Sequence, residues 1–230
     1  MDDLKTNFDK PERVARYVEQ GPPAFAPGHA GMLQMTGVLL AERMPRDGQV
    51  LVIGAGGGLE IRWLAGWAPG WRFVGVDPAP AMLDLARATA GPVAGERLSL
   101  IEGVAADAPP GPFDAATCIL VLGLVADDGA KLLTLSEVRK RLRPNAPFIL
   151  VDQCFDRTAP DFALRLDRYA AYALASGVEP DVVARAKRGV EALTSMASAS
   201  RNEQLLAESG FHDAEAFYVG MAWRGWVSYA

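Results

Sequence analysis

Val50-Leu-Val-Ile-Gly-Ala-Gly-Gly-Gly58 is an apolar run that breaks into glycines, and Phe73-Val-Gly-Val-Asp77 follows it. A continuous run of β-branched and aliphatic residues is the signature of a strand buried on both faces, as in a parallel sheet. Glycines at its end allow a sharp turn and let the backbone approach a ligand closely. An acid closing the next strand is placed to accept hydrogen bonds from ribose hydroxyls. The two segments predict the front half of a nucleoside-binding α/β domain. A tight turn alone is the plainer reading of the glycines.

The glycine spacing separates two cofactor classes. A nicotinamide fingerprint G-x-G-x-x-G starting at Gly54 needs a glycine at position 59, which is Leu59; the glycines fall at 54, 56, 57 and 58. Dinucleotide sites use the later glycine to bring a helix N-terminus against a pyrophosphate. A cofactor without phosphate has no such need. The pattern resembles the first motif of class I S-adenosylmethionine-dependent methyltransferases, with Gly54, Gly56 and Gly58 matching its three glycines. The resemblance implies S-adenosylmethionine as cofactor and S-adenosylhomocysteine as product.

At 230 residues, half of them hydrophobic and 22% charged, the chain is long enough for a large core and too apolar for extended disorder. The start, Met1-Asp-Asp-Leu-Lys-Thr-Asn7, lacks the basic and apolar regions of a signal peptide, and no segment reads as a membrane span. Cys118 and Cys154 read as small core residues of a cytosolic protein, so the expected location is cytoplasmic. No metal-ligand pattern is read. A net charge of −5 argues against a nucleic acid partner. Arg139, Lys140, Arg141 and Arg143 close a predicted helix, where cations suit the dipole.

Pattern and punctuation divide the chain into N-terminal helices over 1–45, a cofactor-binding unit over 46–155 and 200–230, and a helical insertion over 156–199. Helices are predicted at 11–20 and 29–43. Strands at 49–53, 72–76, 98–102, 114–121 and 147–152 alternate with helices at 58–67, 79–90 and 128–142, a βα order that implies a mostly parallel sheet. Residues 160–176 and 180–193 carry apolar faces at helical spacing. They read as a cap over the substrate or as a homodimer interface. A helix at 202–209 precedes two strands, 214–219 and 221–229, that form a hairpin. The fold class is α/β, a Rossmann-like methyltransferase sheet whose C-terminal hairpin contributes an antiparallel strand.

Further motifs carry the resemblance: Phe113-Asp-Ala-Ala-Thr-Cys-Ile-Leu-Val-Leu122, Arg141-Leu-Arg-Pro-Asn-Ala-Pro-Phe-Ile-Leu150 and Ser209-Gly-Phe211. Within the superfamily the chain is similar to small-molecule methyltransferases and to carboxy-S-adenosylmethionine synthase. The likeness implies that Gly54, Ala55, Gly56 and Gly58 form the cofactor loop, with Glu60 at the start of the following helix. Asp77 would hold the ribose with Pro78 beside it, Met82 would lie on the adenine, Ala105, Ala106 and Asp107 would face its edge, and Leu120 and Leu122 would line the methionine moiety. Each has a plainer role: Asp77-Pro78 suits a helix start, Met82 suits a core, and Asp107 suits a solvated loop. Three positions depart from the family. The acid two residues before the first glycine is Val52, the acid after Gly103 is Val104, and a histidine of many relatives is Gly123. Glu60, Asp127 and Asp128 are the acids available to replace the one missing at Val52.

Methyl transfer from a sulfonium is an in-line displacement, so alignment and exclusion of water can carry it without a catalytic triad. Candidate bases for a hydroxyl or amine acceptor are His29, Tyr17, Asp152 and Tyr169. Arg188 and Tyr169 are candidate substrate contacts, Arg188 because carboxy-S-adenosylmethionine synthase holds a carboxylate with an arginine in a similar place and a guanidinium suits that anion. The expected activity is methylation of a small molecule at oxygen or nitrogen. The alternatives are a carboxy-S-adenosylmethionine-synthase-like enzyme and a non-catalytic cofactor-binding or dimerisation protein, with a nicotinamide oxidoreductase further off.

Overall fold

A computed structural model describes residues 11–230, apart from the side chains of residues 11–13, 15 and 16. The first ten residues of the predicted N-terminal segment, including the start read for a signal peptide, lie outside the described residues. Among the described residues, three helices precede the sheet, α1 (Pro11–Gln20), α2 (Pro22–Phe25) and α3 (His29–Ala41). Then β1 (Gln49–Ile53), α4 (Leu59–Trp67), β2 (Arg72–Asp77), α5 (Pro80–Ala94), β3 (Leu98–Glu102), β4 (Ala115–Ile119), α6 (Ala130–Lys140) and β5 (Pro147–Gln153) alternate. Helices α7 (Phe162–Ala175) and α8 (Pro180–Ala192) come next, followed by α9 (Ala199–Glu208) and the hairpin β6 (His212–Gly220) and β7 (Trp223–Tyr229).

The seven strands form one sheet in the order β3-β2-β1-β4-β5-β7-β6. The first five are parallel, and β7 runs antiparallel to both β5 and β6. The period of two along β1 decides which residues meet which helices. Val50 and Val52 join the core beneath α3, α4 and α5, with Met32, Leu64 and Leu83. Leu51 and Ile53 face the other core, with Leu135 and Val138 of α6 and Leu205 and Leu206 of α9. All four strand residues are buried, as their unbroken apolar run predicts.

Helices α7 and α8 pack against the same core as α2 and α3. Tyr169 of α7 lies 5.2 Å, ring centroid to centroid, from Phe25 of α2 and 6.2 Å from Phe155 after β5. Several boundaries differ from expectation for local reasons. Helix α5 runs on to Ala94 despite Pro92 inside it, and Gly95 with φ 56° ends it. Strand β4 stops at Ile119 because Leu120 adopts φ 63° and turns the chain away. Helix α9 begins three residues early, capped by Ser198, whose hydroxyl accepts the Arg201 amide at 3.2 Å.

Candidate functional site

The site forms where β1, β2 and β4 end side by side. Past Ile53 the backbone bends so that the amides of Gly54 and Ala55 both donate to the Val76 carbonyl, at 2.8 and 3.0 Å. Gly54 has φ 72°, and a Cβ there would stand 2.1 Å from Cγ2 of Val121. Gly58 has φ 75°, and its Cβ would stand 2.8 Å from Cα of Ala86, so only glycine lets α4 start this close to α5.

Asp77 closes the turn from β2. Its Oδ2 accepts the Gly56 amide at 2.8 Å and its Oδ1 accepts the Ala79 amide at 3.0 Å. The carboxylate therefore both organises the start of α5 and holds the glycine turn in shape. It is buried yet lines the cavity, and burial raises its pKa while the two amides pull it down. Each carboxylate oxygen keeps a lone pair for an incoming donor.

The cavity beside Asp77 has a volume of about 520 Å³, within the range of small-ligand sites. Gly54, Gly56, Asp77, Pro78, Met82, Ala105 and Leu120 line it, so the structure brings together seven of the residues singled out as cofactor contacts. Six others lie off the wall. Ala55 and Leu122 are buried in the two cores. Gly58 packs on Ala86. Asp107 closes its own turn, with Oδ2 accepting the Val104 amide at 2.8 Å, and Ala106 is exposed beside it.

Glu60, the thirteenth, sits below the wall with a buried Oε1 that has no hydrogen-bond partner. Burial pushes its carboxyl up to about 7, tempered by the neighbouring Thr117 hydroxyl, which lies outside hydrogen-bond geometry. Of the other two acids available to replace the one missing at Val52, Asp127 is held by Arg201 at 3.0 and 3.1 Å. Asp128 lines the cavity, with its Oδ1 accepting the Ala130 amide at 3.1 Å.

Among the candidate bases, Tyr17 lines the cavity, its ring lying along the Gly56-Gly57 backbone. Burial and the charges of Asp77 and Glu60 raise its pKa. His29 opens α3, half-buried and off the wall, with burial lowering its pKa. Tyr169 is buried in the aromatic contact with Phe25, Asp152 is buried behind the turn after β4, and Arg188 is exposed on α8. None of these three lines the cavity. The wall also contains Leu124, Thr134 and Ser195, which sequence reasoning missed. Thr134 and Ser195 carry no motif, and only the folded contact of α6 and the post-α8 segment with the β4 turn brings them in. Among the described residues no cluster of His, Cys, Asp and Glu could hold a metal ion, and no helix is long and apolar enough to cross a membrane.

Comparison with known proteins fits this geometry. Residues 51–148 match a family described as a methyltransferase domain. A search of curated proteins finds no match. Among solved structures, an O-methyltransferase family protein from Burkholderia thailandensis superposes with a TM-score of 0.68 at 13% identity over 98% of this chain, which spans 62% of that protein's length. A SAM-dependent methyltransferase from Aquifex aeolicus gives 0.61 at 12% identity, covering 100% of this chain and 98% of that one. The 1,6-didemethyltoxoflavin-N1-methyltransferase of Burkholderia thailandensis, with its substrate and S-adenosylhomocysteine bound, gives 0.61 at 17% identity, covering 98% and 86%.

Proposed function

We propose, for a chain whose residues 51–148 match a methyltransferase domain, that it uses S-adenosylmethionine to methylate an oxygen or nitrogen of a small molecule. One observation carries the reading: Asp77 holds the glycine turn by the Gly56 amide while facing a cavity of about 520 Å³. The residues present fit the cofactor. Asp77 offers two carboxylate oxygens to vicinal hydroxyls, Met82 and Ala105 offer apolar surface to a purine, and the absence of any phosphate in the ligand matches the absence of a later glycine at Leu59.

Bound S-adenosylmethionine supplies an electrophilic methyl group on a sulfonium. The chain's own contribution is placement. The Gly54 turn and Leu120 fix the cavity's floor, and the apolar side chains of Val121, Leu124 and Val125 exclude water from it. Among the described residues, Tyr17 and Asp128 are the ionisable groups besides Asp77 on the wall; burial keeps the Tyr17 phenol protonated, so a proton leaving the acceptor passes to Asp128 or to solvent. The small cavity, and small-molecule ligands such as the toxoflavin precursor in a structurally similar enzyme, support an acceptor of modest size.

Thermal denaturation with and without S-adenosylhomocysteine, with NADH as control, tests the proposal. Ligand at 100 times its dissociation constant adds roughly 2.7 kcal/mol, a rise of several degrees for a domain of this size. Stabilisation by S-adenosylhomocysteine alone is expected; stabilisation by NADH alone, or by neither at millimolar concentration, overturns the cofactor assignment.

A further inference from the structure

We propose that Lys131 is a positioning residue that fixes the Leu122–Leu124 turn, and with it one wall of the cavity, by holding the Leu122 carbonyl from behind. The link to ligand binding rests on the cofactor reading of that cavity; the anchoring itself does not.

Lys131 lies in the first turn of α6, yet it is 0% exposed. Its Nζ donates to the Leu122 carbonyl. The same oxygen accepts the Val125 amide at 3.0 Å, so both of its lone pairs are used. The location opposes a cation in two ways, since burial removes its hydration and the first turn is the positive end of the helix dipole. A lysine with no task there would reach for solvent, as long charged side chains do.

Two other groups brace the same turn. Asp152, at the end of β5 and 2% exposed, supplies, once it ionises at about pH 7, the nearby negative charge that counters Lys131 without direct ion-pair contact. Its Oδ1 accepts the Gln153 amide at 2.9 Å, while Oδ2 is buried without a partner. A Cβ on Gly123 would stand 2.9 Å from Oδ1, so this carboxylate fills the space of the missing side chain. Ser195, which follows α8, donates from Oγ to the Gly123 carbonyl at 2.6 Å. The turn is thus held by α6, β5 and the tail of the helical insertion. Its other side, Leu120, Val121, Leu124 and Val125, is cavity wall.

The test is amide hydrogen exchange on the whole protein, wild type against K131M and K131M/D152N. Exchange reads local opening directly and needs no ligand. Anchoring by Lys131 predicts that the Leu124 and Val125 amides, bonded to Val121 and Leu122, exchange at least about tenfold faster in K131M relative to amides of β1 and β4. The double variant removes the lone carboxylate as well. It should recover melting temperature while the two turn amides stay fast. Uniform acceleration across the sheet, or turn amides that recover with the melting temperature, would show a merely structural lysine and overturn the proposal. S-adenosylhomocysteine titration of the same three proteins separates the two readings. A roughly tenfold weaker Kd in both variants is expected. A wild type that binds no S-adenosylhomocysteine refutes the cofactor reading, and the exchange result still decides the anchoring.

Discussion

The Gly56 amide donates to Oδ2 of Asp77 at 2.8 Å, tying the glycine turn to the end of the neighbouring strand across 21 residues of chain. One carboxylate thereby sets the shape of the turn and presents its remaining lone pairs to the cavity. Replacing it with an amide separates these roles. In D77N one oxygen remains to accept, and the new NH2 group faces a backbone N–H that also donates, Gly56 or Ala79. Loss of one such bond costs about 1–2 kcal/mol of stability. Affinity for S-adenosylhomocysteine should fall at least about tenfold, because ribose hydroxyls lose a charged acceptor. Calorimetric titration alongside thermal melting checks this; unchanged affinity in a folded D77N would remove Asp77 from the site.

A second prediction concerns Gly54. A methyl group there would meet Cγ2 of Val121 at 2.1 Å, on a residue with φ 72°. G54A should therefore lose about 2–4 kcal/mol from steric overlap and left-handed strain together. Shortening the neighbour removes only the overlap, so V121A in the G54A background should recover part of the loss. Denaturant melts of the four proteins in the cycle give the coupling. Strict additivity would mean that the contact between the β1 turn and the β4 turn is not the source of the cost.

Stability should decline with rising pH between about 4.5 and 7. Burial holds Glu60 protonated in the fold up to about 7, against 4.5 when exposed, and Asp152 rises to about 7 from 3.8. In this window the unfolded chain has released protons that the folded chain keeps, so folding opposes their loss. The stabilisation is whole below the unfolded values and is lost as pH passes the folded ones. E60Q abolishes one of the two contributions and should be more stable than wild type at pH 8 by on the order of 2 kcal/mol, with no gain at pH 4.5. Melting curves from pH 4 to 8 would refute this if E60Q followed the wild-type decline in full.

What the sequence reveals and what it hides divides along physical lines. The order of strands and helices is legible because burial on both sheet faces demands unbroken apolar runs such as Val50–Ile53, and the Asp77-to-glycine relation is legible because both partners sit at strand ends. Thr134 and Ser195 are hidden because they reach the cavity through tertiary contacts that no local pattern encodes. Lys131 is hidden for the opposite reason: a lysine on an amphipathic helix reads as solvated, and only the fold shows it buried against Leu122. Leu120 likewise extends an apolar run that reads as strand, and its positive φ is set by the turn that follows.

The acid absent at Val52 offers the last test. Val52 and Thr117 are register partners in the parallel ladder, so their side chains share a sheet face, and Glu60 lies beside the Thr117 hydroxyl. Glu60 thus brings a carboxyl from α4 to the face where the family's first motif would put one on β1. If the two positions serve one site, V52D places two carboxyls where burial tolerates one charge at most. V52D should then lose more than about 3 kcal/mol at pH 8, and V52D/E60Q should regain most of it because a single acid remains. The exchange of positions should also show in binding: E60Q weakens S-adenosylhomocysteine, and V52D/E60Q restores it. Equal melting temperatures for V52D and V52D/E60Q would separate the two positions and leave Glu60 as a buried acid unrelated to the motif.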